Sequence, residues 1–318
     1  MSSFFEVQMQ NCEGVEAVVL KRGEHTEAIV VPMLGNNFFN LKICDEDLLE
    51  PVSWDVFRQS PTSYGACPLI PFANRIANKA FDFQNAEYRL DTERNGLVRG
   101  LPWTCVSHGA SRNGAWVKSR INSEDFPGVI GSQYPFSFVA TMTHRLQDMG
   151  VEITIEMENS CSTTSKLPCS LGIHPYFRVD PGATVCVPAN KHFQLDDAKL
   201  PTGEPAPSDE RIDLRTPRPI GELELDDLFS DLAADDDGRV RCRIQNRLSQ
   251  TVLEFLAEDF PYLMLYKPEG RAAIAIEPYT SAINAFNMPD GDLLVLRPRE
   301  KFRGVVRIYR DASDRAST

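Results

Sequence analysis

Runs of β-branched and aromatic residues, many of them alternating with polar residues, recur along almost the whole chain and constrain its fold. They occupy residues 17–20, 136–140, 151–157 and 305–309 among others. Alternation with a period of two sends successive side chains to opposite faces of a strand, so it is typical of half-buried antiparallel strands. The pattern therefore predicts a protein built mainly from such strands.

Turn-forming sequences separate these runs. The chain has 22 prolines and 19 glycines, residues that favour turns. Turn signals stand at residues 112–114, 180–182, 267–270 and 289–291. The best helical candidates, residues 45–50 and 226–232, are too short to form a layer of helices against a sheet. We therefore expect an all-β fold, a large antiparallel β-sandwich with few short helices.

Length and composition fit one globular unit. The 318 residues alone suggest about two domains, but all-β sandwiches run to roughly 250 residues as one unit. Hydrophobic residues make up 42% of the chain and charged residues 25%, which is ordinary for a globular protein. We expect residues 1–318 to form a single domain, with its core at about residues 15–310.

The formal net charge of -12 indicates a small-molecule partner rather than nucleic acid or an acidic membrane, since both of these select a basic face. The N-terminus has no basic segment followed by an apolar stretch, and no run approaches the ~18 apolar residues of a membrane span. The eight cysteines are dispersed without a Cys-x-x-Cys pair, as expected of reduced thiols. We expect a cytoplasmic protein, either a monomer or a homodimer.

Two titratable residues lie in strand-like runs that are otherwise apolar or aromatic. His174 stands between Ile173 and Pro175, and Glu277 follows the apolar residues 273–276. An unperturbed imidazole titrates near pH ~6.5 and burial raises the pKa of a carboxyl, so the two are a candidate general acid and base. Each also has a structural interpretation, as a hydrogen-bonded histidine and as a buried ion-pair partner.

Other side chains are suited to holding a sugar. Tyr176 and Phe177 supply flat aromatic walls of the kind that often bind the faces of sugar rings. Arg75 brings a planar fork of five donors, and Asp226 a carboxylate that accepts from adjacent hydroxyls. Taken singly, Arg75 is equally an ion-pair partner, and Asp226 with Asp227 is equally a helix N-terminus. No Gly-x-Gly-x-x-Gly, P-loop or metal-ligand spacing occurs, so we expect neither a cofactor nor a metal.

Several motifs follow one another in a specific order. The most specific are His-Pro-Tyr-Phe at residues 174–177 and Glu-Pro at 277–278 with Ala-Phe-Asn at 285–287. The others are Asn-Arg-Ile at 74–76, Arg-Gly-Leu-Pro-Trp at 99–103, Asp-Asp-Leu-Phe at 226–229 and Leu-Arg-Pro at 296–298. This series resembles the aldose 1-epimerase (galactose mutarotase-like) family from about residue 30 to residue 310.

The resemblance implies the supersandwich of that family, with an open sugar cleft on one sheet, and an isomerase that interconverts the α and β anomers of an aldose. It implies that Glu277 removes the proton of the anomeric hydroxyl and that His174 protonates the ring oxygen. Ring opening, rotation of the aldehyde and ring closure then reverse both transfers. Arg75 matches the family's substrate-binding arginine, and Asp226 matches an acidic residue that accepts hydrogen bonds from sugar hydroxyls.

The chain departs from the family at Arg99, where the family usually has a second histidine before Gly-Leu-Pro-Trp. Arginine is a permanent cation that exchanges no proton at neutral pH. Arg99 either replaces that histidine in binding substrate, which favours a charged sugar, or weakens turnover if the histidine shares in proton transfer. A shifted alignment places Asn95 there instead. Arg299 replaces the glycine of the usual Pro-Gly-Glu, which changes only a turn.

Three hypotheses follow from these motifs. The leading one is an active mutarotase. The second is a sugar-binding or regulatory protein of the same fold that has lost most of its catalysis, since fold does not fix function. The third is a hexose-6-phosphate mutarotase, which requires basic groups to converge on one end of the cleft. Its candidates are Arg75, Arg99, Arg178 and Lys267. The acidic net charge favours a neutral sugar.

Overall fold

The fold is known from a computed structural model, which describes residues 4–162, 164–289 and 292–311. The one α-helix in these ranges is α1 (Trp54–Gln59), and shorter helical turns lie at Pro61–Ser63, Ala77–Lys79, Ser123–Asp125, Pro127–Gly131, Ile220–Glu222 and Ala285–Asn287. The strands in chain order are β1 (Phe5–Cys12), β2 (Val15–Arg22), β3 (Glu27–Val31), β4 (Asn37–Ile43), β5 (Glu46–Asp47), β6 (Ala66–Leu69), β7 (Ala80–Phe83), β8 (Ala86–Arg89), β9 (Thr104–Ser111), β10 (Gly114–Asn122), β11 (Phe138–Leu146), β12 (Gly150–Asn159), β13 (Leu167–Cys169), β14 (Gly172–Arg178), β15 (Thr184–Cys186), β16 (Ala189–His192), β17 (Ala206–Pro207), β18 (Arg218–Pro219), β19 (Asp226–Leu232), β20 (Arg239–Gln245), β21 (Gln250–Leu256), β22 (Tyr262–Tyr266), β23 (Ala273–Tyr279), β24 (Leu294–Leu296) and β25 (Lys301–Asp311).

Two large antiparallel sheets contain most of these strands. The first has 12 strands, in the order β1-β2-β3-β4-β6-β14-β23-β22-β19-β16-β17, with β5 paired to β4. The second has nine, in the order β18-β15-β20-β21-β25-β12-β11-β10-β9. Two small ladders, β13-β24 and β7-β8, lie outside them. Strands β14 and β23, which hold the two titratable residues, are therefore adjacent near the middle of the first sheet.

The two sheets pack face to face and share one hydrophobic core. Strands β2, β3 and β4 lie against β10, β11 and β12. Val18 and Leu20 of β2 belong to the same buried cluster as Ile153 and Ile155 of β12. Buried and half-buried residues alternate along β11 and β12, as expected where one face meets the core and the other meets solvent. The all-β sandwich prediction is confirmed.

The predicted strands are present, whereas both predicted helices are wrong. Residues 226–232 form strand β19, and residues 45–50 contain β5. Leu228 and Phe229 of β19 are both buried although their side chains point to opposite faces, because β19 pairs with both β16 and β22 inside the sheet. Such burial on two faces overrides a weak local helical preference.

Helix α1, which begins after Ser53, was not predicted. The Ser53 hydroxyl accepts a hydrogen bond from the backbone N–H of Val56 at 3.4 Å, which is the usual N-cap arrangement. This helix has six residues and is too short to reach across a bilayer, as are the other helices of the described ranges. The single-domain expectation stays a prediction, and part of the predicted turn at 289–291 lies outside the described residues.

The core contains one histidine without a polar partner. His144 of β11 is 0% exposed, and its ring centroid lies 5.3 Å from that of Phe38. Neither of its ring nitrogens has a hydrogen-bond partner among the described residues. Burial lowers the pKa of His144 to about 3, because the charged imidazolium is disfavoured away from water. The neutral ring therefore acts as a core side chain.

We predict that His144→Leu stabilises the protein increasingly as the pH falls. Between about pH 6.5 and pH 3 the unfolded wild-type chain binds a proton at His144 that the folded protein excludes, so wild-type stability rises with pH in that window. The variant lacks this titration. Its free energy of unfolding, measured relative to wild type, should therefore be about 2 kcal/mol higher at pH 5 than at pH 7. Urea unfolding at both pH values measures the effect. His108→Leu, at an exposed position, is the control, and equal differences at the two pH values contradict the prediction.

Candidate active site

The register of two neighbouring strands brings His174 and Glu277 together. In the pairing of β14 with β23, Gly172 lies opposite Tyr279 and Tyr176 opposite Ala275, so His174 lies opposite Glu277. The His174 Nε2 atom is 3.2 Å from the Glu277 Oε1 atom. The two residues are only 8% and 2% exposed. The predicted acid and base are thus a directly contacting, largely dry pair.

Strand alternation decides which side chains join this pair. Ile173 and Phe177 of β14 belong to the core between the sheets, whereas His174 and Tyr176 line a cleft on the opposite face. The interpretation of Phe177 as a sugar-binding wall is therefore wrong. Successive side chains along a strand point to opposite faces, so Phe177, one residue after Tyr176, enters the core.

Burial shifts the pKa values of the pair in opposite directions. It raises the pKa of the Glu277 carboxyl to about 8, although a hydrogen bond from Tyr279 lowers it. Burial, together with the smaller effect of the positive charge of Arg99, lowers the pKa of His174 to about 3. Both shifts have one cause, which is that the charged form of each group loses water. Near neutral pH the pair therefore holds one proton, and burial favours the carboxyl as its place.

A chain of hydrogen bonds orients the Glu277 carboxylate. The Tyr279 hydroxyl donates to Glu277 Oε2 at 2.6 Å, and the Asn74 side-chain amide donates to the same hydroxyl at 3.4 Å. The Arg75 guanidinium donates to the Asn74 Oδ1 atom at 3.1 Å. One carboxylate oxygen is thus held by Tyr279 while the other contacts His174. This leaves the carboxylate with a fixed orientation at the cleft floor.

The motif at residues 284–287 positions the segment that carries Arg75. The backbone N–H of Asn284 donates to the Arg75 carbonyl at 3.0 Å, and the Asn284 side chain accepts from the N–H of Ala77 at 2.9 Å. Asn287 donates to the Asn284 side chain at 2.9 Å, while Phe286 is buried in the core. The motif therefore positions Arg75 in the cleft by holding the backbone of residues 75–77.

Tyr176 forms a wall that is held from behind. Its ring stacks on His174 with centroids 4.5 Å apart, and its hydroxyl lies 3.4 Å from His174 Nε2. The Arg271 guanidinium lies over the Tyr176 ring at 4.4 Å and over Tyr64 at 4.5 Å. Glu50 forms an ion pair with Arg271 through both carboxylate oxygens. These contacts fix the Tyr176 and His174 rings relative to each other.

The cleft has a volume of about 440 Å³. Its lining brings together all six predicted site residues and several that were not predicted: Thr62, Ser63, Asn74, Arg75, Arg94, Asn95, Arg99, His174, Tyr176, Asp226, Met264, Tyr266, Glu277 and Tyr279. Arg99 is half-buried here, and Asn95, considered as its alternative, lines the same cleft. Polar donors and acceptors thus surround the acid–base pair.

Asp226 lies where the cleft meets a larger open basin of about 1180 Å³. It is the first residue of strand β19, and its carboxylate forms an ion pair with Lys199 at 3.0 Å. Tyr266 also lines both spaces. The negative charge of Asp226 acts together with burial to raise the pKa of Glu277. Asp226 is therefore close enough to the His174–Glu277 pair for its charge to influence Glu277.

Two of the four basic residues suggested for a phosphate lie elsewhere. Arg178 has the same strand parity as His174 and Tyr176 but, at the end of β14, does not line the cleft, and it forms an ion pair with Asp180 at 2.5 Å. Lys267 donates to backbone carbonyls of residues 220–223 and lines the larger basin. Each is already committed to contacts within the protein. The convergence of Arg178 and Lys267 on the cleft is therefore ruled out in this conformation.

Tyr279 and Arg94 are the functional candidates that the sequence analysis missed. Tyr279 stands two residues after Glu277, so the period of the strand places it on the same face; this signal was present in the sequence. Arg94 lies in an irregular segment whose backbone bridges to Arg75. No periodic pattern marks such a position, so only the folded chain shows it.

Comparisons with known proteins agree with this architecture. A family model described as aldose 1-epimerase matches residues 16–309. The chain is 23% identical over 316 residues to the uncharacterized protein YihR of Escherichia coli strain K12, covering 96% of each chain.

Two solved structures show the same fold. A galactose mutarotase-like protein from Clostridium acetobutylicum has a TM-score of 0.84 at 21% identity, with 97% of this chain and 99% of that chain covered. Galactose 1-epimerase from Lactobacillus acidophilus NCFM has a TM-score of 0.81 at 13% identity, with 96% and 99% covered. The predicted galactose mutarotase-like fold is confirmed.

We predict that Tyr279→Phe raises the pKa of Glu277. The substitution keeps the ring and removes the hydroxyl that stabilises the carboxylate; a hydrogen bond to a charged group contributes about 1.5–3 kcal/mol, or about 1–2 pH units. Carbon-13 NMR of isotopically labelled glutamate carboxyls measures the titration. Tyr266→Phe removes a cleft hydroxyl that has no hydrogen bond to Glu277 in the described structure and is the control. An unchanged or lowered pKa in Tyr279→Phe contradicts the prediction.

Proposed function

Because the chain belongs to the aldose 1-epimerase family, we propose that it catalyses the interconversion of the α and β anomers of an aldose. The observation that carries this proposal is the His174–Glu277 pair, with its 3.2 Å contact at the floor of a polar cleft. The family supports an isomerase of this general kind, and the contact between His174 and Glu277 supports their assignment as the acid and the base.

The reaction requires two proton transfers at two oxygens of one carbon. The anomeric hydroxyl must lose a proton and the ring oxygen must gain one, while the bond between C1 and the ring oxygen breaks and the C1 carbonyl forms. Both oxygens are bonded to C1, so the acid and the base must lie close enough together for each to reach one of two neighbouring oxygens by a hydrogen bond. His174 and Glu277 meet this requirement.

The proton count of the pair also fits the reaction. With His174 as the acid and Glu277 as the base, the single proton of the pair first passes from Glu277 to His174 across their contact. Ring opening then converts this imidazolium–carboxylate pair into a neutral imidazole and a carboxylic acid. The total number of protons on the protein does not change. Ring closure on the other face of the aldehyde returns both protons and regenerates the pair. Burial favours the neutral imidazole and the neutral carboxylic acid. The environment therefore stabilises the protonation state that the pair has while the sugar ring is open.

The remaining cleft residues bind the sugar in this proposal. Arg75 donates to hydroxyl oxygens, and Asp226 accepts from hydroxyl hydrogens. The aromatic ring of Tyr176, which Arg271 and His174 hold in place, restricts the position of the sugar ring. A fixed substrate and a fixed pair of transfer groups lower the barrier by removing orientational freedom before the reaction.

A second candidate function is sugar binding with little catalysis. The observation that favours it is Arg99 in the cleft, since arginine exchanges no proton near neutral pH. The acid and the base of the leading proposal are nevertheless both present and in contact. A single set of rate measurements on defined variants therefore separates the two candidates.

We predict that Glu277→Gln and His174→Gln each lower the enzyme-dependent rate of anomer exchange by about 10²–10⁴-fold, the usual contribution of general acid–base catalysis. Polarimetry of freshly dissolved α-glucose and α-galactose, then of their 6-phosphates, measures the rate. The control, Glu24→Gln, removes a carboxylate from an exposed position. Wild-type rates in either cleft variant refute the assigned roles. No acceleration by folded wild-type protein with any of these sugars favours the binding function.

We predict that the activity is level around neutral pH and falls above about pH 8. The pair keeps its single proton up to the raised pKa of Glu277, about 8, and loses the acid function once that proton dissociates. A second proton binds only far below neutrality, because the pKa of His174 is lowered to about 3. Rates between pH 5 and 10, extrapolated to zero buffer, test the profile. A fall centred near pH 6.5 indicates an unperturbed histidine and contradicts it.

A further inference from the structure

We propose that the preferred substrate is an aldose that carries an anionic group, held by Arg99 and Arg94 with support from Arg75. This inference rests on the proposed function, because it concerns the substrate class of the same cleft. The anionic chemistry is common to a phosphate ester, a carboxylate and a sulfonate.

Three guanidinium groups converge on the cleft without carboxylate partners. Arg75, Arg94 and Arg99 all line it, and the backbones of Arg75 and Arg94 form a bridge. The Arg75 side chain donates to an amide oxygen of Asn74. Across the described ranges, no ion pair involves the Arg75, Arg94 or Arg99 side chain. The three cations therefore have donors free to bind a ligand.

Other arginines near this region are neutralised by acidic residues. Arg271 is paired with Glu50, and Arg211 is paired with Asp227 at 2.7 Å. Arg75 and Arg99 are half-buried, whereas Arg94 is exposed. Like charges brought together in this way repel one another, and an anionic ligand offsets that repulsion. An arginine fork also matches the oxygen pairs of phosphate and carboxylate groups.

The acidic residues of the cleft do not cancel the three cations. Asp226 is engaged by Lys199 at 3.0 Å. Glu277 is buried, and burial raises the pKa of its carboxyl to about 8, so it carries little negative charge at neutral pH. The cleft is therefore cationic in a chain whose formal net charge is -12. A local field of this sign attracts anions even when the whole protein is acidic.

The backbone around Arg99 is held in a close fit. Gly35 has a φ of +72°, and a Cβ atom there would overlap the carbonyl oxygen of Arg99. The N–H of Gly35 donates to the carbonyl of Leu101 at 3.1 Å. Gly96, also with a φ of +72°, approaches the backbone of Ile70 in the same way. A segment fixed on both sides loses little conformational entropy when its arginines bind a ligand.

The first experiment compares four sugars that share one ring: glucose, glucose 6-phosphate, glucuronate and 6-deoxy-6-sulfoglucose. Exchange NMR at anomeric equilibrium, with the enzyme-free rate subtracted, gives kcat/KM for each. We expect at least one anionic sugar to exceed glucose by tenfold or more, with a preference that weakens as salt is added. The phosphate, carboxylate and sulfonate arms identify the group. Equal or lower values for all three anionic sugars overturn the inference and leave the proposed function standing.

The variants Arg99→Gln, Arg99→His and Arg94→Gln test the assignment to residues. We expect Arg99→Gln to lower the ratio of anionic to neutral kcat/KM by tenfold or more, Arg94→Gln to lower it less, and Arg99→His to shift preference towards glucose. Arg112→Gln removes an exposed arginine outside the cleft and serves as the charge-matched control. A ratio that falls equally in the control, or in none of the cleft variants, overturns the assignment.

A binding measurement separates this inference from the proposed activity. Calorimetry with 1,5-anhydroglucitol and its 6-phosphate, which lack an anomeric hydroxyl, reports recognition without turnover. Tighter binding of the phosphate that is lost in Arg99→Gln supports the anion site, even if no sugar is turned over and the proposed activity fails. No difference between the two compounds, in a protein that does exchange the anomers of glucose, counts against the anion site alone.

Discussion

The pairing of strands β14 and β23 in the middle of the first sheet is the constraint on which the site depends. It places an imidazole and a carboxyl opposite each other, with 3.2 Å between Nε2 and Oε1, and the ladder holds both backbones. A shift of one residue in this register would move one of the two side chains to the core face. The cleft chemistry is therefore a property of sheet register, and the hydrophobic core protects it, because Ile173 and Phe177 anchor β14 from the other face.

The same burial that fixes the pair also tunes it. An exposed glutamate and an exposed histidine would each titrate independently. Near neutral pH they would therefore not hold a single shared proton. Inside the sheet, both charged forms lose hydration, so the pKa of Glu277 rises and that of His174 falls. Tyr279 offsets part of this by donating to the carboxylate at 2.6 Å. Burial and this hydrogen bond act in opposite directions on one carboxyl, and their difference sets its protonation.

Around this neutral pair the cleft is positively charged. The acidic character of the chain lies mainly in surface carboxylates, many of them paired with arginines, such as Asp235 and Asp237 with Arg241. In the cleft the relation is reversed, because Arg94 and Arg99 line it without an ion-pair partner among the described residues. Total charge and local charge thus give opposite indications about the substrate, and the local field is what a ligand in the cleft experiences. The preference for a neutral sugar that total charge suggested is superseded by this proposal.

Much of the fold was predictable from the sequence because strand periodicity is a local signal. The alternation in residues 151–157 gave β12, and the apolar residues before Glu277 gave β23. The failure at residues 226–232 has a physical reason: a short acidic segment followed by Leu228 and Phe229 is locally compatible with helix, and only pairing with β16 and β22 makes it a strand. Phe177 was misjudged because its residue type was weighed without its position in the alternation.

The sequence by itself determined the strand-rich sandwich, the order of the motifs and the two residues able to exchange a proton, since composition and period act over short distances. The tertiary structure decided that these two residues touch, that Tyr279 holds one of them, that Arg178 and Lys267 lie elsewhere, and that Arg94 joins Arg75 and Arg99. The reason is that contacts between residues about a hundred positions apart depend on strand order and register, which arise from the burial of the whole core rather than from any local segment.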